Sequence, residues 1–247
     1  MPLDAHALLA TRAAQLNTDL AAATPQSVLE TVFRDARLGE IAMVSSFGAE
    51  SVVLLHLMAQ VDASRPVLFL ETAMLFPETL TYQIEVAETL GLSDVRIVRP
   101  DATDLFLHDP EGELHKSDTD TCCALRKVKP LELALQDFDG WITGRKRHHG
   151  GDRADIAVFE ADSGKLKINP LADWSRDDIA AYLDAHDLPR HPLVAKGFQS
   201  IGCAPCTDST MPGEDVRAGR WRTKEKTECG IHLNGARLWP AIQSTKV

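Results

Sequence analysis

Four short apolar runs, alternating with segments of helical periodicity, constrain this chain more than any other feature. IAMVSS (41–46), PVLFLE (66–71), VRIVRP (95–100) and DGWITG (139–144) each have the length of a buried strand. Such runs, bounded by turn residues, read as strands, and strands that alternate with helices pair in parallel because a parallel neighbour needs a crossover. VVLLHLMAQV follows the first run, and PETLTYQIEVAETLG (77–91) follows the second and is closed by Gly91. Residues 121–137 also read as helical, with a break expected near Pro130, since proline cannot continue the preceding turn. Ahead of the first strand, LLATRAAQL and SVLETVFRDA read as helices, with Thr24-Pro25 as a cap and first-turn signal and Gly39 as the stop. DIAVFEADSGKLKINPL (155–171) alternates in two halves around Asp-Ser-Gly, as a hairpin does, and WSRDDIAAYLDAH (174–186) reads as a helix capped by Ser175. The expected fold is an α/β, doubly wound, open parallel sheet, whose ligands bind beyond the carboxyl ends of the strands. That places the chemistry after Ser46, after Leu70, after Thr143 and near 121–127.

The chain has 247 residues, enough for one large domain or two small ones, and its 44% apolar and 25% charged content is that of a globular protein. It has no run of 18 apolar residues, so no membrane span is expected, and MPLDAHALLATRAAQLNTDL lacks the uninterrupted apolar stretch of a signal peptide. A cytoplasmic location follows as an expectation. Disulfides are disfavoured there, and closely spaced cysteines point to metal or redox chemistry. The net charge of −10 argues against nucleic acid and acidic membrane as partners. Against that charge, GRKRHHGGDR (144–153) and VRAGRWRTKEK (216–226) are positive islands, readable as solvated loops or as the walls of a pocket for a small anion. SSFGAES (45–51) sits where the first strand meets its helix, and its backbone N–H groups and the hydroxyls of Ser45, Ser46 and Ser51 suit an anion. It is not a GxxxxGK[ST] triphosphate loop, and alone it is compatible with an ordinary strand-to-helix turn.

Five cysteines fall into two dense groups and one outlier: Cys122 with Cys123, Cys203 with Cys206 in GCAPC, and Cys229 in ECGIHL. Four thiolates suit zinc or an iron–sulfur cluster. Adjacent cysteines point to opposite faces of a strand or diverge by about 100° on a helix, which hinders closure on one tetrahedral ion. A cubane offers separate corners, so a [4Fe–4S] cluster is favoured over zinc, with buried free thiols as the bland alternative. Arg126 and Lys127, three and four residues after Cys123, either offset a cluster's negative charge or form the polar face of a short helix. Cys229 stands among Lys224, Lys226 and His232, a setting that lowers a thiol pKa, and residues 208–247 read as a mobile tail that can present it to a partner.

SSFGAES, CCALRKVKPL, WITGRKR with a following Arg, GCAPCT, and VRAGRW with ECGIHL, in this order and spanning about 40–235, resemble the assimilatory adenylyl-sulfate reductases and their phosphoadenylyl-sulfate-reducing relatives. The resemblance implies a Rossmann-like sheet of the adenine nucleotide α-hydrolase type. It implies a nucleotide-binding domain over 1–207 carrying the iron–sulfur site, and a flexible segment over 208–247 carrying the catalytic cysteine. By matching motif, Cys122, Cys123, Cys203 and Cys206 would hold a [4Fe–4S] cluster and Cys229 would be the nucleophile. Ser45, Ser46, Phe47 and Gly48 would cradle the phosphosulfate, with Gly144 beside them. Lys127, Arg145, Arg153, Arg217 and Arg220 would surround the anion, and His232 would lie near the reacting sulfur. The implied reaction leaves AMP and an S-sulfocysteine on Cys229, from which thioredoxin or a glutaredoxin-like dithiol releases sulfite, as a step in cysteine biosynthesis. The family pattern after the second strand is LDTGxLFPET, whereas this chain reads LETAMLFPET, so Glu71, Ala73 and Met74 are expected to add bulk at the nucleotide site. Rival readings are a reductase of the 3′-phosphorylated nucleotide, a tRNA thiolase (whose SGGxDS loop is absent) and a zinc-binding or redox-sensing module. A homo-oligomer is left open.

Overall fold

The structure is a computed structural model and describes residues 5–222, 224, 226 and 228–232. Six strands form one sheet: β1 (Ile41–Ser45), β2 (Val67–Leu70), β3 (Val95–Val98), β4 (Gly140–Ile142), β5 (Phe159–Asp162) and β6 (Lys165–Ile168), in the order β3-β2-β1-β4-β6-β5. Every neighbouring pair is parallel except β5 with β6. The helices are α1 (Ala5–Asp19), α2 (Pro25–Arg34), α3 (Ser51–Asp62), α4 (Pro77–Leu90), α5 (Ala102–His108), α6 (Leu114–Ser117), α7 (Thr119–Cys123), α8 (Lys129–Ala134) and α9 (Arg176–Ala185).

The all-apolar runs become the central strands. β1 and β2 are buried at every position, whereas β3, at the sheet edge, is half-exposed and ends at Val98, short of the expected Pro100. Side chains alternate across β1: Ile41 and Met43 join the larger core with α1 to α4 and α9, while Ala42 and Val44 pack with Leu68, Leu131, Leu135 and Trp141 on the opposite face. Thr24 caps α2 by accepting the Ser27 N–H at 3.2 Å, and Ser175 and Asp178 close a reciprocal capping box on α9. The β5–β6 turn uses Ser163 and Gly164, both at positive φ, the conformation that a two-residue hairpin connection requires.

The break expected near Pro130 is instead a widening ahead of it. Residues 124–128 form a π-helical turn, in which the N–H of Lys129 reaches back to the carbonyl of Ala124. Pro130 then sits in the first turn of α8, directly after this wide turn. The wide turn re-aims the chain between Cys123 and Lys127.

β2 and β3 lie on one side of β1 and β4 on the other, so the direction of winding reverses between β1 and β4. The crevice beyond the carboxyl ends of these two strands is the binding position of an open α/β sheet. Among the described residues no helix is long and apolar enough to cross a membrane.

Candidate active site

A cavity of about 210 Å³ opens at that reversal. The loop after β1 supplies Ser45, Ser46 and Gly48, and the loop after β4 supplies Gly144, Arg145 and Lys146. Ser45 Oγ accepts the Phe47 N–H at 3.1 Å and Ser51 Oγ accepts the Gly48 N–H at 3.0 Å, which folds the loop tightly onto the start of α3. No side chain caps α3, so the positive end of its dipole is left to the cavity. Phe47 corrects an expectation. Its backbone turns at φ 47°, and its ring is fully buried against Phe69, so it shapes the loop from inside the core and does not line the cavity.

Among the described residues, six cationic side chains line the cavity: Lys127, Arg145, Lys146, Arg153, Arg217 and Arg220. Two carboxylates, Glu50 and Glu228, accompany them, so the lining carries a surplus of positive charge. Glu50 pairs with Lys146 at 2.9 Å and faces His149 at 3.5 Å. Burial raises its pKa, but His149 and Lys146 outweigh that and hold the carboxyl below the usual range. Burial pushes the His149 imidazole down to about 4. Arg145 is buried, bonded to Glu160 and to Asn169 Oδ1 (3.2 Å), and Asn169 also takes the Thr143 hydroxyl at 2.8 Å. Burial opposes the charge of Glu228 too, yet its bond to Arg153, with His232 and Arg217 nearby, keeps it ionised.

Residues 208–222, expected to begin a tail, pack beside the Cys203–Cys206 turn. Thr207 bridges Arg220, the Asp208 N–H donates to the Gly219 carbonyl at 2.8 Å, and the Trp221 N–H donates to the Cys206 carbonyl at 3.2 Å. Lys226 pairs with Asp120 at the start of α7. Beyond it, Glu228, Cys229, Ile231 and His232 enter the cavity. The His232 ring stacks on Trp141 at 5.9 Å and 3° between planes, and among the described residues its Nδ1 has no hydrogen-bond partner. The lowered thiol pKa expected for Cys229 is corrected here: burial and the Glu228 carboxylate raise it, with Lys127 opposing them. Residues 233–247 lie outside those described.

Cys122, Cys123 and Cys203 are buried and Cys206 is half-buried, and none is in a disulfide. They form one group. Cys123 and Cys203 both act on Cys122, and both also act on Cys206. The turn holding Cys203 is pinned to the loop after β2, where Leu75 bridges Cys203 and the Ala204 N–H donates to the Met74 carbonyl at 2.7 Å. Lys127 is the link to the cavity. Burial disfavours its charge, but Cys203, Cys123 and Cys229 overcome that and raise its pKa. Among the described residues, the sets of three ligand atoms within 4.8 Å of one another are Glu50/His148/His149 and Glu228/Cys229/His232, and the cysteine quartet supplies none. A single tetrahedral zinc, with Zn–S of about 2.3 Å, brings its sulfurs to within about 4 Å of one another. No three of the four sulfurs stand that close here, and four buried or half-buried thiols outside any disulfide are a donor set that suits an iron–sulfur cluster.

The family model of the phosphoadenosine phosphosulfate reductase domain matches residues 40–209. This chain belongs to that reductase family. It is 54% identical over 203 residues to the adenosine 5'-phosphosulfate reductase of Chelativorans sp. (strain BNC1), a match covering 82% of each chain. It is 47% identical over 232 residues to the enzyme of the same name from Mesorhizobium japonicum, covering 94% of this chain and 91% of that one. The phosphoadenosine 5'-phosphosulfate reductase of Gloeobacter violaceus is 41% identical over 198 residues, covering 78% of this chain and 82% of that one. Among solved structures, phosphoadenylyl-sulfate reductase from Candida auris superposes with a TM-score of 0.68 at 23% identity, over 80% of this chain and 97% of that one, and thereby shares the fold.

Within this reductase family the LETAMLFPET departure is accommodated away from the cavity. Ala73 adopts φ 59°, the left-handed conformation natural to the glycine of the family pattern. Glu71 supports it by accepting the Ala73 N–H at 2.7 Å and pairing with Arg99 at 2.9 Å. Thr72 and Leu75 line the cavity, whereas Glu71, Ala73 and Met74 do not, so the expected bulk at the nucleotide site is absent. Of the expected site residues, Ser45, Ser46, Gly48, Lys127, Gly144, Arg145, Arg153, Cys203, Arg217, Arg220, Cys229 and His232 converge on one cavity. Glu50, Trp141, Lys146, His149 and Glu228 also line the cavity without a role assigned from the sequence, although all five lie within motifs quoted from it.

Proposed function

We propose that this chain reduces adenylyl sulfate to sulfite and AMP, with Cys229 as the nucleophile. The carrying observation is the convergence of the Cys229 sulfur and six cations on one cavity at the winding reversal of the sheet. Relatives named adenosine 5'-phosphosulfate reductase, matched over most of their length, agree with it.

The Cys229 thiolate attacks the sulfate sulfur, an S–S bond forms, and the S–O bond to phosphate breaks with its electron pair leaving on AMP. Arg153, Arg217, Arg220 and Lys127 stabilise the charge shifting onto the phosphate and sulfonyl oxygens. The serine loop and the N-terminus of α3 hold the nucleotide's phosphate. A thiolate of thioredoxin or a glutaredoxin-like protein then attacks Cys229 Sγ and expels sulfite. The partner's second thiol resolves the mixed disulfide, restoring the Cys229 thiol and supplying both electrons as the partner becomes a disulfide. In this scheme Cys229 and the residues around it, 228–232, dock in the cavity for the first half and leave it for the second, while residues 208–222 stay packed beside the cysteine turn. Cys122, Cys123, Cys203 and Cys206 would hold a [4Fe–4S] cluster, which their burial fits. When bound, it supplies a fixed charge and a structural tie next to Lys127. A cytoplasmic setting accords with five cysteines that are all free of disulfides.

Mass spectrometry of the protein mixed with adenylyl sulfate and no reductant tests this. The expected product carries one sulfonyl group on Cys229, and an unmodified Cys229 refutes the nucleophile assignment. The Gloeobacter relative keeps phosphoadenylyl sulfate as the second reading. The same experiment with both nucleotides distinguishes them by the rate at which the adduct forms.

A further inference from the structure

Glu228 directly precedes the nucleophile, and the reaction above gives it no task. Its carboxylate is buried, at 5% exposure. It engages Arg153 through both oxygens: Nε donates to Oε2 at 2.5 Å and a terminal nitrogen donates to Oε1 at 3.0 Å. Oε1 also lies 3.8 Å from Arg217 and accepts the backbone N–H of Cys229 at 2.9 Å. One carboxylate thus holds two of the cavity's cations and, at the same time, the main chain of the nucleophile. A guanidinium fork grips sulfate or phosphate by the same two-point geometry with which it grips a carboxylate, and it cannot hold both at once. A buried carboxylate is stable only while paired, so once its arginines turn to another anion Glu228 is driven towards water.

We propose that Glu228 is an internal surrogate for the substrate's anionic group, occupying the Arg153–Arg217 clamp until adenylyl sulfate displaces it and so frees the backbone of Cys229. The inference rests on the cavity being an adenylyl sulfate site, and it adds to that site a positioning residue that makes release of the nucleophile depend on arrival of the substrate. The opposite role, in which Glu228 stays on Arg153 throughout and only aims it, has the opposite signature. A competitor's removal tightens substrate binding, whereas a brace's removal weakens it.

The test is calorimetric titration of adenylyl sulfate into Cys229→Ser, which cannot turn over, and into the double variant Glu228→Gln/Cys229→Ser. The double variant is expected to bind about tenfold more tightly. Equal or weaker binding overturns the proposal. A second measurement needs only Cys229→Ser. Exchange of the amide hydrogen at position 229 should accelerate when adenylyl sulfate binds, and slowed or unchanged exchange also overturns the proposal, even where the double variant does not fold. If Cys229→Ser binds no adenylyl sulfate, the substrate reading itself falls and the surrogate role with it. If it binds and the double variant binds no tighter, the surrogate role alone falls.

Discussion

His191 shows how one buried side chain supports the approach to the cysteine turn. Its Nδ1 accepts the Leu193 N–H at 3.2 Å, which leaves Nε2–H to donate to Thr79 Oγ1 at 3.0 Å on α4. The bond accepted by Nδ1 requires the neutral ring, and burial pushes its pKa down from 6.5 to about 4. The unfolded chain takes up that proton first as pH falls. The stability supplied by neutral His191 is therefore complete above about pH 6.5, is lost as pH drops towards about 4, and levels off below. Denaturant unfolding at pH 7 and pH 4.5 should show a loss about 2 kcal/mol smaller in His191→Gln than in the parent, and an equal loss would refute the assignment. Nothing in the sequence marked this histidine. The residues that were legible one by one are those whose chemistry is rare, the five cysteines and the clustered arginines. Glu228 was hidden because a carboxylate beside a cysteine gains meaning only from the arginines that face it.

At the scale of the element, the Cys203–Cys206 turn explains its own glycine. A Cβ on Gly202 would sit 2.3–2.5 Å from the Arg220 guanidinium, which stacks on Trp221 at 4.4 Å. The obstructing atoms are the far end of a flexible side chain, so the turn survives and the arginine moves. Gly202→Ala is expected to raise KM for adenylyl sulfate about tenfold, equivalent to about 1.4 kcal/mol. Its thermal midpoint should change little. A large loss of Tm with unchanged KM would place the glycine's role in folding instead. Strand positions, the β5–β6 hairpin and the caps at Thr24 and Ser175 were readable because each depends on a few adjacent residues. The π-turn at 124–128 was not. Pro130 announces a disturbance, but whether the helix stops or widens is decided by what the two flanking segments pack against.

Across the whole molecule, the proposed cluster joins α7 to a turn some eighty residues later in the chain, closing a long loop around β4 to β6. Binding energy at such a site is folding energy, because the unfolded chain does not assemble the four sulfurs. Cys203→Ser is expected to purify with little or no iron and to unfold several degrees lower, and a full iron complement would refute the ligand set. The α/β class and the strand-to-helix succession were legible from apolar periodicity. The order β3-β2-β1-β4-β6-β5 and the seating of residues 228–232 in the cavity were not, because both are settled by contacts between distant segments. The stacking of His232 on Trp141 has a practical corollary. In the proposed cycle the indole would exchange an imidazole for water when Cys229 leaves the cavity to meet the reductant. Of the four tryptophans in the chain, the one on β4 therefore carries an intrinsic optical signal of whether the nucleophile is at home.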